Sequence, residues 1–356
     1  MKIYNFSAGP SILPQDVFIE ASKAVLDFTG NGLSILEISH RSKDFIQVMD
    51  EAEALVRELL HIPDDYAVLF LSGGASTQFY MAPMNLLSAG QRVAYTDTGT
   101  WASKSIKEAK LFAQVDVVGS SKSDNYMHIP KNLNVTKEHA YLHITSNNTI
   151  YGTQYHLFPE VNIPLVCDMS SDIFSRPFDI QKFNLIYAGA QKNMGPAGTT
   201  LVIVKKSILG NTGRDLPSMI NYQNHIEGGS MYNTPPVFAV YISMLVLRWV
   251  KKQGGVQAIE TLNKNKARLL YDEIERNPLF YCPVHVDDRS MMNVCFLLHN
   301  KDKEESFKEL SKSYGCQSIA GHRSVGGFRA SIYNAMPLEG VAALVSAMQA
   351  FEKNQG

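Results

Sequence analysis

Seven short apolar runs between residues 66 and 204 constrain this chain more than any other feature. They read YAVLFL (66–71), RVAYT (92–96), VDVV (115–118), AYLHIT (140–145), IPLVCD (163–168), NLIYAG (184–189) and TLVIV (200–204). Each has the length of a strand, and each is apolar throughout rather than alternating, which calls for burial on both faces. Helix-length segments, 76–87 and 100–112, separate the first of them. Strands alternating with helices fold as an α/β layer structure, here a mostly parallel seven-stranded sheet between helices. Ligands of such sheets collect beyond the carboxyl ends of the strands. Polar and glycine residues gather at those ends: Gly73-Gly74, Asp97, Asn147 to Thr149, Asp168 and Gln191-Lys192.

The flanking segments read as helices and a second, smaller unit. Val17, Phe18, Ala21, Ala24, Val25 and Phe28 form one helical stripe over 15–28, and a stronger stripe from Phe45 to Leu59 predicts a helix over 43–60, stopped before Pro63. Thr234-Pro235-Pro236 reads as an N-cap with prolines in the first turn of a helix running to Lys252, and a second helix covers 256–276. SMMNVCFLLHN, a helix over 302–314, the segment GHRSVGGFRASIYN and an amphipathic helix from Leu338 predict a small α+β domain. A chain of 356 residues exceeds what one core usually sustains, roughly 250–300 residues. The expected division is a large cofactor-binding domain over 15–255 and a small domain made of 1–14 and 256–356.

Charge excludes several function classes. The 33 basic and 34 acidic side chains leave a net charge of -1, so nothing favours nucleic acid, and any phosphate recognition must be local. No apolar run reaches the roughly 18 residues of a membrane span; the longest, 236–250, carries Arg248. MKIYNFSAGPSILP has no signal-peptide pattern. Cys167, Cys282, Cys295 and Cys316 lack the spacing of a zinc knuckle or a disulfide framework, so no metal is expected and the expected compartment is the reducing cytoplasm.

The chemistry concentrates in LIYAGAQKNMGPAGTT, where Lys192 follows a buried strand and precedes a glycine-rich segment. Asp168 ends another such strand. A lysine and a carboxylate presented together suggest pyridoxal phosphate chemistry, the amine forming a Schiff base and the carboxylate facing the pyridine nitrogen. LSGGASTQF (71–79) places a glycine turn and small hydroxyl residues at the start of a helix, a phosphate cradle without the lysine of a nucleotide P-loop. Trp101 opens the following helix, where its ring could stack on a flat ligand. His40-Arg41, His322-Arg323 and Arg329 supply cations suited to carboxylate and phosphate. Singly, each feature has a plainer reading: a solvated lysine, a capped turn, a core tryptophan, surface ion pairs.

Taken together, NFSAGPSILP, ISHRS, LSGGASTQF, CDMSSDIFSRP, YAGAQKNMGPAG, MYNTPP and GHRSVGGFRASIYNAMPLEGV span nearly the whole chain in order. This set resembles the phosphoserine aminotransferase family of fold-type I pyridoxal phosphate enzymes. The resemblance implies one pyridoxal 5'-phosphate per subunit, bound as a Schiff base to Lys192, with Asp168 on the pyridine nitrogen and Trp101 stacked on the ring. It implies Ala75 and Ser76 in the phosphate loop, and Thr149 and Gln191 as further cofactor contacts. Asn233 and Thr234 are implied to reach the neighbouring subunit's cofactor phosphate, hence a homodimer with shared sites. Arg41 and Arg329 would bind the substrate carboxylate; His40, His322 and Arg323 would bind its phosphate. Ser76 stands where many relatives carry arginine.

The implied reaction is reversible transamination between O-phospho-L-serine with 2-oxoglutarate and 3-phosphohydroxypyruvate with L-glutamate, in L-serine biosynthesis. A vitamin B6 precursor, 4-phosphohydroxy-L-threonine, is a further expected substrate. An alanine/serine–glyoxylate-type aminotransferase of the same fold is the alternative, though it has no need of the His-Arg pairs. A cysteine desulfurase would need a reactive loop cysteine, for which only Cys316 is available.

Overall fold

The computed structural model describes residues 2–355. All seven apolar runs join one sheet, in the order Tyr66–Leu71, Thr200–Lys205, Leu185–Gly189, Leu165–Asp168, His139–Thr145, Arg92–Asp97 and Gln114–Ser120. Thr200–Lys205 runs antiparallel to both its neighbours, and every other pair is parallel. Six strands therefore point one way, and their carboxyl ends share one edge. The continuous apolar character has the predicted cause. Val68, Phe70, Ile186 and Ile203 belong to the hydrophobic cluster on one face, and Leu69, Leu71, Tyr187 and Val202 to the cluster on the other. Each such side chain contributes about 1.5–3 kcal/mol on burial.

The helix Lys43–Leu60 has the expected bounds. Ser42 caps it by accepting the Phe45 N–H at 3.3 Å, and His61 closes it in the left-handed region at φ 53°. The helix expected to open with prolines begins instead at Val237. Thr234 and Pro235 each precede a proline, whose ring disfavours the α region for the residue before it, so both stay outside the helix. The helix after the first strand starts earlier than expected, at Gly74, and the helix Glu304–Ser313 is preceded by a 3₁₀ turn over Lys301–Lys303.

A three-stranded antiparallel sheet, Phe280–Tyr281, Asn293–Leu298 and Phe328–Ser331, packs with helices Gly255–Arg276, Glu304–Ser313 and Leu338–Gln355. Phe280, Phe296, Phe307, Phe328 and Phe351 fill its core. The chain start belongs to this core: Tyr4–Asn5 pairs in parallel with Cys316–Gln317, and Tyr4 and Phe6 are buried in the cluster. A polar joint ties the smaller sheet to the lysine-bearing turn. Asn334 N–H donates to Asn193 at 3.0 Å, and its side chain donates to the Phe174 carbonyl at 3.0 Å. Lys266, buried in Gly255–Arg276, donates to the carbonyls of Ile332 at 2.9 Å and Tyr333 at 2.7 Å.

Burial lowers Lys266 to about 7, yet as amine or ammonium it still donates to those carbonyls. Lys266→Ala strips buried acceptors of their donor and should cost about 2–4 kcal/mol in urea unfolding. Lys266→Met, which keeps the stem volume, should recover only part of this. A loss below about 1 kcal/mol for both would show that this buried donor contributes little.

Candidate active site

A cavity of ≈ 350 Å³ opens at the carboxyl edge of the large sheet. Lys192 enters it from the turn after Leu185–Gly189, and its Nζ donates to Thr149 Oγ1 at 2.8 Å. The chain's N-terminal arm fixes that turn. Ser11 N–H donates to the Gln191 carbonyl at 3.0 Å, the Ser11 hydroxyl donates to the Lys192 carbonyl, and Tyr333 OH holds the Ala8 carbonyl at 2.7 Å. Gly9 has φ +143°, and a Cβ there would sit 3.4 Å from both Gln191 Cγ and Lys192 Cγ, so the arm lies flush against the lysine.

Asp168 ends the adjacent strand and is buried. Its Oδ1 accepts from Ser170 N–H at 2.9 Å and Ser170 Oγ at 2.6 Å. Ser170 is itself held by the Gly189 N–H at 3.1 Å, which locks the carboxylate to the lysine's strand. Its Oδ2 takes no protein donor among the described residues, although Asp168 lines the cavity. Burial raises this carboxyl, opposed by the Ser170 hydroxyl and by Lys192. Burial lowers Lys192 to about 8; Asp168 works against that fall and Arg329 adds to it.

The helix Gly74–Leu86 aims its N-terminus at the cavity, where Gly74, Ala75 and Ser76 line the wall. First-turn N–H groups lack helical partners and carry the positive end of the helix dipole. Gly73 makes this turn possible: its φ is +102°, and a Cβ would collide with Thr77 Oγ1. Trp101 also lines the cavity, its buried indole N–H having no acceptor among the described residues, and Lys104 Nζ lies 4.5 Å from its ring centroid.

Arg329 comes from the smaller sheet. It donates to the Thr149 carbonyl at 3.3 Å, while its buried Nε has no partner among the described residues. His322 lines the cavity beside it, held by Ser324 at 2.7 Å. Burial lowers His322, and Arg329, Arg323 and Lys104 lower it further. Cations that depress one another in this way bind an anion favourably, because it relieves their repulsion.

Of the residues singled out in the sequence, Ala75, Ser76, Trp101, Thr149, Asp168, Gln191, Lys192, His322 and Arg329 line this one cavity. Arg323 is exposed next to His322 and is not among the lining residues. His40, Arg41, Asn233 and Thr234 do not line it either. Arg41 N–H turns back onto Ser39 at 3.1 Å, and Asn233 donates to the Thr234 carbonyl at 3.2 Å. Ala8, Gly9 and Ser170 were missed. Ala8-Gly9 carries only a glycine–proline turn signal, whereas a serine two residues after a buried aspartate is a local capping pattern that could have been read.

The donor set fits pyridoxal 5'-phosphate. The free Asp168 Oδ2 suits a protonated ring nitrogen, the helix N-terminus suits a phosphate, and the lysine amine suits an aldehyde. The Aminotransferase class-V family model matches residues 3–344. The chain is 62% identical to the phosphoserine aminotransferase of Flavobacterium johnsoniae over 353 residues, 99% of each chain. It is 55% identical to that of Parabacteroides distasonis, again over 99% of each. Among solved structures, the phosphoserine aminotransferase of Bacillus circulans subsp. alkalophilus superposes with TM-score 0.97 at 46% identity, covering 100% of this chain and 99% of that one. The pyridoxal phosphate-bound phosphoserine aminotransferase of Trichomonas vaginalis gives TM-score 0.93 at 36% identity, covering 98% of this chain and 100% of that one.

A depressed lysine reacts with acylating reagents at lower pH than its fellows. In the cofactor-free protein, labelling of Lys192, mapped by peptide mass spectrometry, should reach half its maximum near pH 8 rather than 10.5. Asp168→Asn removes a raising influence and should move the midpoint down; Arg329→Gln removes a lowering one and should move it up. A wild-type midpoint at the ordinary lysine value would contradict the desolvated amine.

Proposed function

The chain belongs to the class-V aminotransferase family, and we propose that its cavity exchanges an amino group between O-phospho-L-serine and 2-oxoglutarate, in either direction. It is a pyridoxal phosphate-dependent transaminase, and the reaction places it in L-serine biosynthesis. One observation carries the choice of a doubly anionic substrate: His322 and Arg329 face the cavity beside Lys192, with Arg323 and Lys104 close enough to depress His322.

Pyridoxal phosphate, when bound, supplies an aldehyde carbon that takes up the amino group and a ring that draws electrons from the substrate Cα. We assign the movement of the Cα proton to Lys192. An amine lowered to about 8 both accepts and returns a proton near neutral pH, and Thr149 orients it. Asp168, clamped by Ser170, would keep a proton on the ring nitrogen through its free Oδ2. Ala75 and Ser76 would hold the cofactor phosphate by backbone N–H and hydroxyl. With serine rather than arginine at position 76, the helix dipole carries more of that task. Trp101 would cover the ring, with Thr149 and Gln191 as further contacts. Arg329 would take the substrate carboxylate, its unpaired Nε being the support for this reading, while His322 and Arg323 would take the substrate phosphate.

Asn233, Thr234, His40 and Arg41 lie off their own chain's cavity, which supports their service to a second copy: a homodimer with shared sites, Asn233 and Thr234 on the cofactor phosphate, Arg41 on the carboxylate and His40 on the substrate phosphate. The proposed division is a large unit over 15–255 and a small unit of 1–14 with 256–356. The proposed compartment is the cytoplasm, in keeping with four free cysteines. No helix is long and apolar enough to cross a membrane among the described residues.

A coupled assay with phosphoserine and 2-oxoglutarate tests the reading, with serine plus glyoxylate and 4-phosphohydroxy-L-threonine as comparison substrates. Phosphoserine should be strongly preferred over serine; equal turnover of serine with glyoxylate would favour the glyoxylate-type alternative. Lys192→Ala should abolish both turnover and the visible absorbance of the loaded protein. Asp168→Asn should keep cofactor but lose roughly a hundredfold or more in kcat. Arg329→Gln should lower kcat/KM by about 10- to 100-fold, the worth of a charged hydrogen bond.

A further inference from the structure

Away from the cavity, three metal-ligating side chains converge from two distant parts of the chain. Asp124 ends the 3₁₀ turn Lys122–Asp124, and Asn125 and Tyr126 follow with φ 48° and 61°. That pair of left-handed residues turns the backbone so that His128 Nδ1 returns to 2.9 Å from Asp124 Oδ2. His285 arrives from the loop that precedes Asn293–Leu298, its Nε2 lying 3.5 Å from the same carboxylate oxygen. The two imidazoles stack with centroids 5.3 Å apart and planes 20° from parallel. One ligand atom from each of the three residues lies within 4.8 Å of the other two. None of the three lines the cavity.

We propose that Asp124, His128 and His285 form a site for a divalent transition-metal ion of the zinc type. Two imidazoles and one carboxylate are a donor set that such ions take, with water completing the tetrahedron. Bonds of about 2.0–2.1 Å in a tetrahedron set ligand atoms roughly 3.3–3.5 Å apart. The two aspartate contacts, 2.9 and 3.5 Å, straddle that spacing. The imidazole nitrogens need to close by at most about 1.5 Å to reach it. His285, with 60% of its side chain exposed, is free to rotate that far.

The backbone is already held for this arrangement. His285 N–H donates to the Met127 carbonyl at 2.9 Å, Asp288 accepts the Ile129 N–H at 2.9 Å, and Lys131 pairs with Asp288. These contacts hold the two segments together without using the three ligand side chains, so an ion needs only side-chain rotation to gather them. Its place in the fold gives it a role. Tyr126 reaches Asp97 at 3.4 Å, and Asp97 accepts from Ser103 at 2.7 Å in the helix Thr100–Ala109 that carries Trp101. A metal at Asp124 would staple this support to the loop leading into the smaller sheet.

The test uses the untagged, cofactor-loaded full chain, stripped with chelator, and titrates zinc by equilibrium dialysis against wild type, His128→Gln and His285→Gln. We expect one zinc per chain at micromolar concentration in the wild type, weakened about tenfold or more in each variant. Zinc should raise the thermal midpoint of the wild type and raise that of both variants by clearly less at the same concentration. Magnesium at the same concentration should do neither, since imidazole donors select against it. Equal zinc binding by wild type and variants would overturn the site, as would magnesium matching zinc, or no wild-type binding at about 1 mM.

Discussion

Everything in the candidate site depends on keeping one amine and one carboxylate out of water on neighbouring strand ends. Desolvation pushes both toward their neutral forms: it lowers Lys192 and raises Asp168. Their mutual attraction offsets only part of this. The arrangement therefore requires an external frame. The two faces of the large sheet provide it, with apolar clusters on both sides and parallel strands that bring Asp168 and the lysine turn to one edge. Ser170 ties the carboxylate to the lysine's own strand, and Ser11 and Asn334 fix the turn from two other parts of the chain.

Desolvation also explains why the site takes charge from both sheets. The large sheet supplies Lys192 and Asp168, and the smaller sheet and the loop before it supply Arg329 and His322. The cations are poorly neutralised by protein: Arg329 Nε has no partner among the described residues, and His322 is depressed by Arg329, Arg323 and Lys104 after burial. The cavity wall also offers backbone N–H groups and a hydroxyl instead of cations at Gly74, Ala75 and Ser76. Two groups of potential anion ligands with different chemistry thus line the same cavity as the amine. A phosphate held by a helix N-terminus leaves the guanidinium free for a second anionic molecule.

The sheet was legible because burial on both faces leaves an unbroken apolar signature, as in YAVLFL and TLVIV, and Lys43–Leu60 because its stripe and its Ser42 cap are both local. Thr234–Pro236 misled because one local rule, proline in a first turn, met another, the restriction a proline places on its predecessor. Lys192 and Asp168 were visible as strand-end residues, though resemblance rather than spacing gave them roles. Ala8 and Gly9 were not visible. Their place against Lys192 follows from the pairing of Tyr4–Asn5 with Cys316–Gln317, a contact between opposite ends of the chain that no local pattern encodes. Asp124 and His285 meet for the same kind of reason.

The joint between the sheets has a consequence for the amine itself. Arg329 stands in the smaller sheet, yet its charge is one cause of the low basicity of Lys192. A carboxylate that neutralises Arg329 removes that repulsion, and Lys192 then gains affinity for a proton. With Arg329 assigned to the substrate carboxylate as proposed, the basicity of Lys192 would rise when substrate binds and fall when it leaves. For the proton transfer proposed for Lys192, this coupling would serve better than a fixed value. The coupling in turn needs a fixed distance between the sheets, which the hydrogen bonds of Asn334 to Asn193 and to the Phe174 carbonyl help to maintain.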